Sequence, residues 1–340
     1  MNRRPKILVV GSLVMDLTVN TERFPGPGAT VLGKSFRTAP GGKGANQAVQ
    51  AARLGAEVTM VGKVGDDDFG RSLVRSCRES GVNTEFISVS PEVSSAVGDI
   101  ILETGEDGET GNRIIVVPGA NMTITPGDVA FLKDTVGRYD MVMLQLEIPM
   151  AVNEAVARYA FEKGVPVMLN SAPSAPLSPE LLSRLTYLSP NEHEAADLTG
   201  IPIRKAGKSV DRDDVKKAVG SLLSRGVKNV VITLGNAGAV IAGGGEFIYR
   251  PCVDVVKVLD PTAAGDSFVG AFATGVCAGM DHGQALTFAN YTATLTVSRM
   301  GAQPSLPTVR EVAAFMRREA PSDFDLSLLD KLTEGERYDA

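Results

Sequence analysis

Two aspartates bracket a loop of small side chains, Asp260-Pro-Thr-Ala-Ala-Gly-Asp266, which runs straight into the apolar stretch Ser267-Phe-Val-Gly-Ala-Phe-Ala-Thr-Gly275. The first-turn N–H groups of a helix lack intrahelical partners and carry the positive end of the helix dipole, so such a junction attracts anions. Ala263, Ala264 and Gly265 would let a phosphate approach the backbone closely. Asp266, at the junction, could take a proton from a hydroxyl that attacks that phosphate. The same residues also permit a plainer arrangement, a tight loop with Asp266 as the helix N-cap.

A second stretch, Thr38-Ala-Pro-Gly-Gly-Lys-Gly-Ala-Asn-Gln47, offers a complementary chemistry. Pro40 and glycines 41, 42 and 44 make a loop, and Ala45–Leu54 reads as a helix stopped by Gly55. Glycines can adopt positive φ and expose backbone N–H groups, while Lys43 and Asn46 add polar donors at the helix start. Together they form a cradle for a polyol or an anion; Asn46 could equally be a plain cap. The stretch is not a P-loop, and the first strand, Lys6–Val10, is not followed by a dinucleotide fingerprint.

The elements that must position these residues alternate. Strands are expected at Lys6–Val10, Val58–Val61, Met141–Leu146, Val167–Leu169, Tyr187–Leu188 and Asn229–Thr233. Helices are expected at 71–80, 151–163, 213–224, 281–299 and 308–318. Such alternation predicts an α/β fold, a doubly wound, mostly parallel sheet covered by helices. Polar residues gather at strand ends (Asp16, Glu147, Asn170, Asn191, Thr233), where open α/β sheets bind ligands. Two extended runs, 94–103 and 113–117, joined by the polar turn Thr104–Gly111, read as a hairpin that projects as a lid or a dimer surface. Asp66, Asp67 and Asp68 read as a helix-start turn rather than a metal site. The segment 319–340 is acid-rich and reads as a surface helix or frayed tail.

Composition narrows the class. With 340 residues, 22% charged, 44% hydrophobic and a net charge of −6, the chain has an ordinary globular make-up and no footprint for nucleic acid or membrane partners. No signal-peptide core or membrane-length apolar window is present, and three scattered cysteines argue against a disulfide framework or zinc site, so a cytoplasmic protein is expected. With two histidines, His193 and His282, imidazole-based chemistry is disfavoured.

The pair GGKGANQA (41–48) and DPTAAGD (260–266), with LQLEIP, LNSAP, PNEHE, TLGNAG and GAQPS in order between and after them, resembles the ribokinase, or phosphofructokinase-B type, carbohydrate kinases over about residues 5–318. The resemblance implies a ribokinase-like domain with a small β lid within about 12–40 and 94–117, followed by an acidic extension at 319–340. It implies transfer of the ATP γ-phosphoryl to the 5-hydroxyl of ribose, with another sugar or a nucleoside as alternative acceptor and a non-catalytic sensor as a remoter one. Asp266 would be the general base, and the amides of Ala263, Ala264 and Gly265 the anion hole. Asp16, Gly42, Lys43, Asn46 and Glu147 would hold the sugar. Thr233, Gly235, Gly238 and Asn290 would line the nucleotide, and Asn191 and Glu194 would serve Mg²⁺ through water. Asp260 and Thr262, with Thr296, Arg299, Gly301 and Ser305, would form a K⁺ site, and two lids would pair in a homodimer. Against the family pattern, Pro261 stands where Thr is usual, Ser171 where Pro is common, and Gly98-Asp99 where an apolar pair is usual. The base is expected to keep a near-normal Asp pKa.

Overall fold

The computed structural model describes residues 3–104 and 110–334; the tip of the expected lid turn and the last six residues of the tail lie outside them. Its centre is a nine-stranded sheet with the order 246–250, 239–243, 229–233, 187–189, 167–170, 141–144, 6–10, 57–65, 82–90. From 229–233 to 82–90 all pairings are parallel. The inner strands KILVV, MVML and VMLN are short continuous apolar runs because helices cover both of their faces.

The sequence expectation omitted three strands, the two edges of the sheet, Val82–Ser90 and Glu246–Arg250, and the strand beside the second edge, Ala239–Gly243. Val82–Ser90 alternates polar and apolar residues, and Ala239–Gly243 and Glu246–Arg250 form an antiparallel hairpin on the opposite edge. The two edge strands are partly exposed and mix polar with apolar residues, so they lack the apolar run that marks the inner ones; Ala239–Gly243 is buried throughout, but it is short and set among glycines 238 and 243–245.

The chain enters the sheet in the middle, at Lys6–Val10, builds outward to 57–65 and 82–90, then returns to 141–144 on the other side. The switch in strand order therefore lies between 6–10 and 141–144, where such folds leave a crevice at the strand carboxyl ends. A separate four-stranded sheet, ordered 33–41, 14–21, 96–104, 110–117, stands over this crevice as the lid. Asp16 belongs to the lid strand Val14–Thr21, not to the turn after the first central strand.

On one face of the large sheet pack three helices: Lys43–Arg53, Ala264–Cys277 and His282–Val297. The helix Ala264–Cys277 is apolar all round and buried from Asp266 to Gly275, as expected of a helix wedged between two others. Gly270 allows its closest approach: a Cβ there would lie 3.0 Å from the Gln47 carbonyl oxygen. The tail does more than cover surface. Leu329 and Leu332 are buried, Phe324 stacks on Phe288 with centroids 6.5 Å apart, and Asp330 pairs with Arg317 at 2.6 Å.

Candidate active site

The helix Lys43–Arg53 starts two residues earlier than the sequence predicts, because Gly42 takes φ 91° as its N-cap and releases Lys43 and Gly44 into the first turn. That turn faces the first turn of Ala264–Cys277. Across the gap, Asn46 Nδ2 donates to Asp266 Oδ2 at 2.9 Å and Gln47 Nε2 donates to Asp266 Oδ1 at 3.0 Å. Gln145 Nε2 donates to Gln47 Oε1 at 2.7 Å, and this orients the Gln47 amide. Gln47 lies inside the glycine motif next to Asn46, which is the only sequence signal that could have singled it out.

Asp266 is buried, and loss of solvent pushes its pKa up; Lys43, Asn46 and Gln47 pull it back down, while Glu147 adds to the rise. The near-normal value expected from sequence is thus corrected, because burial outweighs the donors. A raised carboxylate pKa suits a proton acceptor working near neutral pH.

The helix N-cap, Ala263, sits at φ 60°, ψ 8°, a left-handed conformation that costs a non-glycine residue about 1–3 kcal/mol. This kink turns the loop so that Ala263, Ala264 and Gly265 line a cavity of about 140 Å³ together with Lys43, Asn191, Glu194, Thr233 and Asp266. The Ala264 N–H donates to the Pro261 carbonyl at 3.2 Å. Asn191 and Glu194 form a capping box: Asn191 Oδ1 accepts from the Glu194 N–H at 2.8 Å, and Glu194 Oε2 from the Asn191 N–H at 3.0 Å. Ser171 Oγ donates to Glu194 Oε2 at 3.5 Å, a contact a proline there could not make.

Beneath the lid, Ser12 Oγ and the Lys43 N–H both donate to Glu147 Oε2, at 2.5 and 3.0 Å, across the sheet's switch point. Asp16 hangs above them. A Cβ at Gly41 would lie 2.6 Å from Asp16 Oδ2, and one at Gly98 2.9 Å from Asp16 Oδ1. The carboxylate therefore occupies a slot that only two glycines leave open, which gives Gly98 a steric reason. Burial first, then the charges of Glu147, Asp266 and Asp260, push the Asp16 pKa up to about 7, with Lys43 acting against them. Burial pulls the Lys43 pKa down, but Asp266, Glu147, Glu194 and Asp16 outweigh it, so Lys43 stays cationic above its ordinary range. Asn46 Oδ1 is buried with no partner among the described residues, as is Ser189 Oγ in the cavity wall. Buried polar atoms without protein partners mark places where a ligand can bond.

Other expected residues fall into two corners. Gly235 and Gly238 shape the turn after strand 229–233 at φ 57° and 101°; a side chain at Gly238 would strike the Arg250 backbone. Asn290 Nδ2 is spent on the Pro251 and Arg250 carbonyls, at 3.0 and 3.4 Å, and so fixes the loop that leaves the edge strand. In the second corner, Asp260 Oδ1 accepts from the Thr262 N–H and Oδ2 from the Gly301 N–H, each at 2.9 Å. Side chains of Thr296, Ser305 and Arg299 are turned to Ser267, the Ala302 carbonyl and Glu311 respectively.

This crevice, lid and buried helix N-terminus fit a sugar-kinase architecture, and the comparisons agree. The model of the pfkB family of carbohydrate kinases matches residues 4–309, and the chain belongs to that family. Within it, the chain is similar to ribokinases: it is 40% identical over 306 residues to the ribokinase of Bacillus subtilis, covering 90% of this chain and 97% of that one. It is 30% identical over 311 residues to the deoxyribokinase of Salmonella typhi, covering 91% and 98%. The structure of Arabidopsis thaliana ribokinase complexed with ribose and ATP superposes with a TM-score of 0.82 at 33% identity, covering 93% of this chain and 99% of that one.

Proposed function

We propose that this protein is an ATP-dependent kinase that transfers the γ-phosphoryl group of ATP to the 5-hydroxyl of D-ribose, giving ribose 5-phosphate and ADP. The observation that carries it is Asp266: a water-shielded carboxylate, gripped by Asn46 and Gln47, in the first turn of a buried helix whose N-terminus lines the cavity. The sugar lies under the lid, its hydroxyls donating to Asp16 and to the orphaned Asn46 Oδ1, with Gly42, Lys43 and Glu147 beneath. As the 5-oxygen attacks the γ-phosphorus, its proton passes to Asp266 and the bond to the ADP oxygen breaks. Charge on the transferred oxygens meets the helix dipole and the amides of Ala263, Ala264 and Gly265, already placed and in a dry site. Release of the Ala264 amide from Pro261 is part of that step.

Thr233, Gly235, Gly238 and the loop held by Asn290 receive the nucleotide. Asn191 and Glu194 fit Mg²⁺ held through water, since Mg²⁺ keeps most of its shell and asks for few protein carboxylates. That ion would neutralise charge on the ATP phosphates. Among the described residues no cluster of three or more His, Cys, Asp or Glu forms an alternative metal cage. Asp260 also fits K⁺: it is nearly buried, and its ion-pair partner Arg37 stands 3.7 Å away, beyond hydrogen-bond reach. Backbone oxygens of Thr262, Thr296, Arg299, Gly301 and Ser305 would complete that site, steadying the loop that leads to Ala263.

The acceptor is tested by ADP release across pentoses, hexoses and nucleosides. Ribose is expected to give the highest kcat/KM; a higher value for deoxyribose would reassign the protein to the chemistry of its deoxyribokinase relative, and one for a nucleoside would overturn the sugar reading.

The lid also supports a homodimer. Side chains alternate along its strands, so Phe36, Ile115 and Val117 share the face opposite Asp16, and they are 65%, 62% and 47% exposed. A second copy's lid would cover them. Light scattering is expected to report a dimer for the parent and a monomer for Ile115→Asp; a monomeric parent would rule the pairing out. Among the described residues no helix is long and apolar enough to cross a membrane. All three cysteines are unpaired, which supports a reducing, cytoplasmic setting.

A further inference from the structure

Arg37 lies on the lid face that carries Asp16: Asp16 pairs with Ala39 and Thr18 with Arg37 across the two neighbouring strands. From there its guanidinium leaves the lid and reaches the main body, placing Nη2 3.7 Å from Asp260 Oδ2. The Arg37 side chain is 38% exposed and that of Asp260 10%. The backbone N–H groups of Thr262 and Gly301 donate to Asp260, one to each carboxylate oxygen, and the Thr262 side chain adds a further hydrogen bond. Thr262 is followed directly by the left-handed Ala263, so whatever neutralises Asp260 also steadies the turn at the helix N-terminus.

We propose that Arg37 is a lid-borne cation that shares Asp260 with the monovalent cation, so that the protein supplies part of its own cation requirement. The inference rests on the K⁺ reading of the Asp260 corner. A poorly solvated carboxylate attracts any cation near it, and a tethered guanidinium needs no free ion to be present. Two cations beside one carboxylate repel each other, so Arg37 weakens K⁺ binding while replacing some of its effect. Arg37 touches none of the reacting groups and acts only through the loop, as a positioning residue.

The test compares the parent, Arg37→Gln and Arg37→Lys while KCl replaces choline chloride at constant ionic strength. Activity and thermal midpoint are both followed, and the half-exposed position lets all three fold. Arg37→Gln is expected to lower the half-saturating K⁺ concentration about fivefold or more, and to lose a similar factor in the fraction of activity left without K⁺. Its thermal midpoint should respond to K⁺ at correspondingly lower concentrations, while Arg37→Lys follows the parent. A K⁺ response identical in parent and Arg37→Gln, by both readouts, overturns the role of Arg37 and leaves the cation site standing. No K⁺ response in any of the three overturns the cation reading of Asp260 and this inference with it.

Discussion

Asp266→Asn is expected to lower kcat by about 10²–10⁴-fold, the usual worth of a positioned general base, while ATP and sugar still bind. The substitution is close to isosteric, but it replaces an acceptor with an amide. Asn46 and Gln47 both donate to Asp266, so one of the three amides must turn to avoid facing another donor. Binding by calorimetry separates the two effects: near-parent affinities with lost turnover mark a missing base, whereas lost affinity for both ligands marks a collapsed site. If Asp266→Asn keeps more than about a tenth of the parent kcat, the proton goes elsewhere.

Asp16→Asn is expected to raise the sugar KM about 10–100-fold, because charge-assisted hydrogen bonds are worth about 1.5–3 kcal/mol each. Its second signature is in the pH profile. Asp16 titrates at about 7 in the fold, so the parent should lose kcat/KM for the sugar as pH falls through that value; in Asp16→Asn that part of the acidic limb disappears. Stability should move the opposite way. An ordinary aspartate titrates near 3.8, so the folded protein holds this proton more tightly than the unfolded chain does. The contribution of Asp16 to stability is therefore full below about 3.8 and is lost as pH rises from there through about 7. At pH 8 the ionised, half-buried carboxylate weighs against the fold, and Asn relieves it. Asp16→Asn should melt above the parent at pH 8 and by a clearly smaller margin at pH 5. A variant less stable than the parent at pH 8 would show that Asp16 is a structural anchor.

Much of this was legible along the chain, for a physical reason. A phosphate-binding turn needs small residues in unbroken order before a helix, so DPTAAGD and GGKGANQA could be singled out locally as candidates, although each also permitted a plain helix cap. Inner parallel strands are buried on both faces and leave an apolar run, so the alternating α/β order could also be read. The edge strands could not, because half-covered strands have no such mark. Nor could the pairing within the lid, since strand 14–21 lies against its neighbour 33–41 on one side but parallel to the distant strand 96–104 on the other.

What the tertiary structure alone decided are the relations between distant residues. Asn46 and Gln47 meet Asp266 some 220 residues on because Gly270 lets two helices close up. Gly98 reads as an oddity in the sequence and becomes half of the slot that seats Asp16. The proton affinity of Asp16 arises from burial and from the charges of Glu147, Asp266 and Asp260, that of Asp266 from burial set against Lys43, Asn46 and Gln47, and neither exists until the lid strand and two helix ends converge. Residue types and local backbone order named the reaction; packing set the electrostatics that let it run, because desolvation and long-range contact belong to the folded chain and to no segment of it.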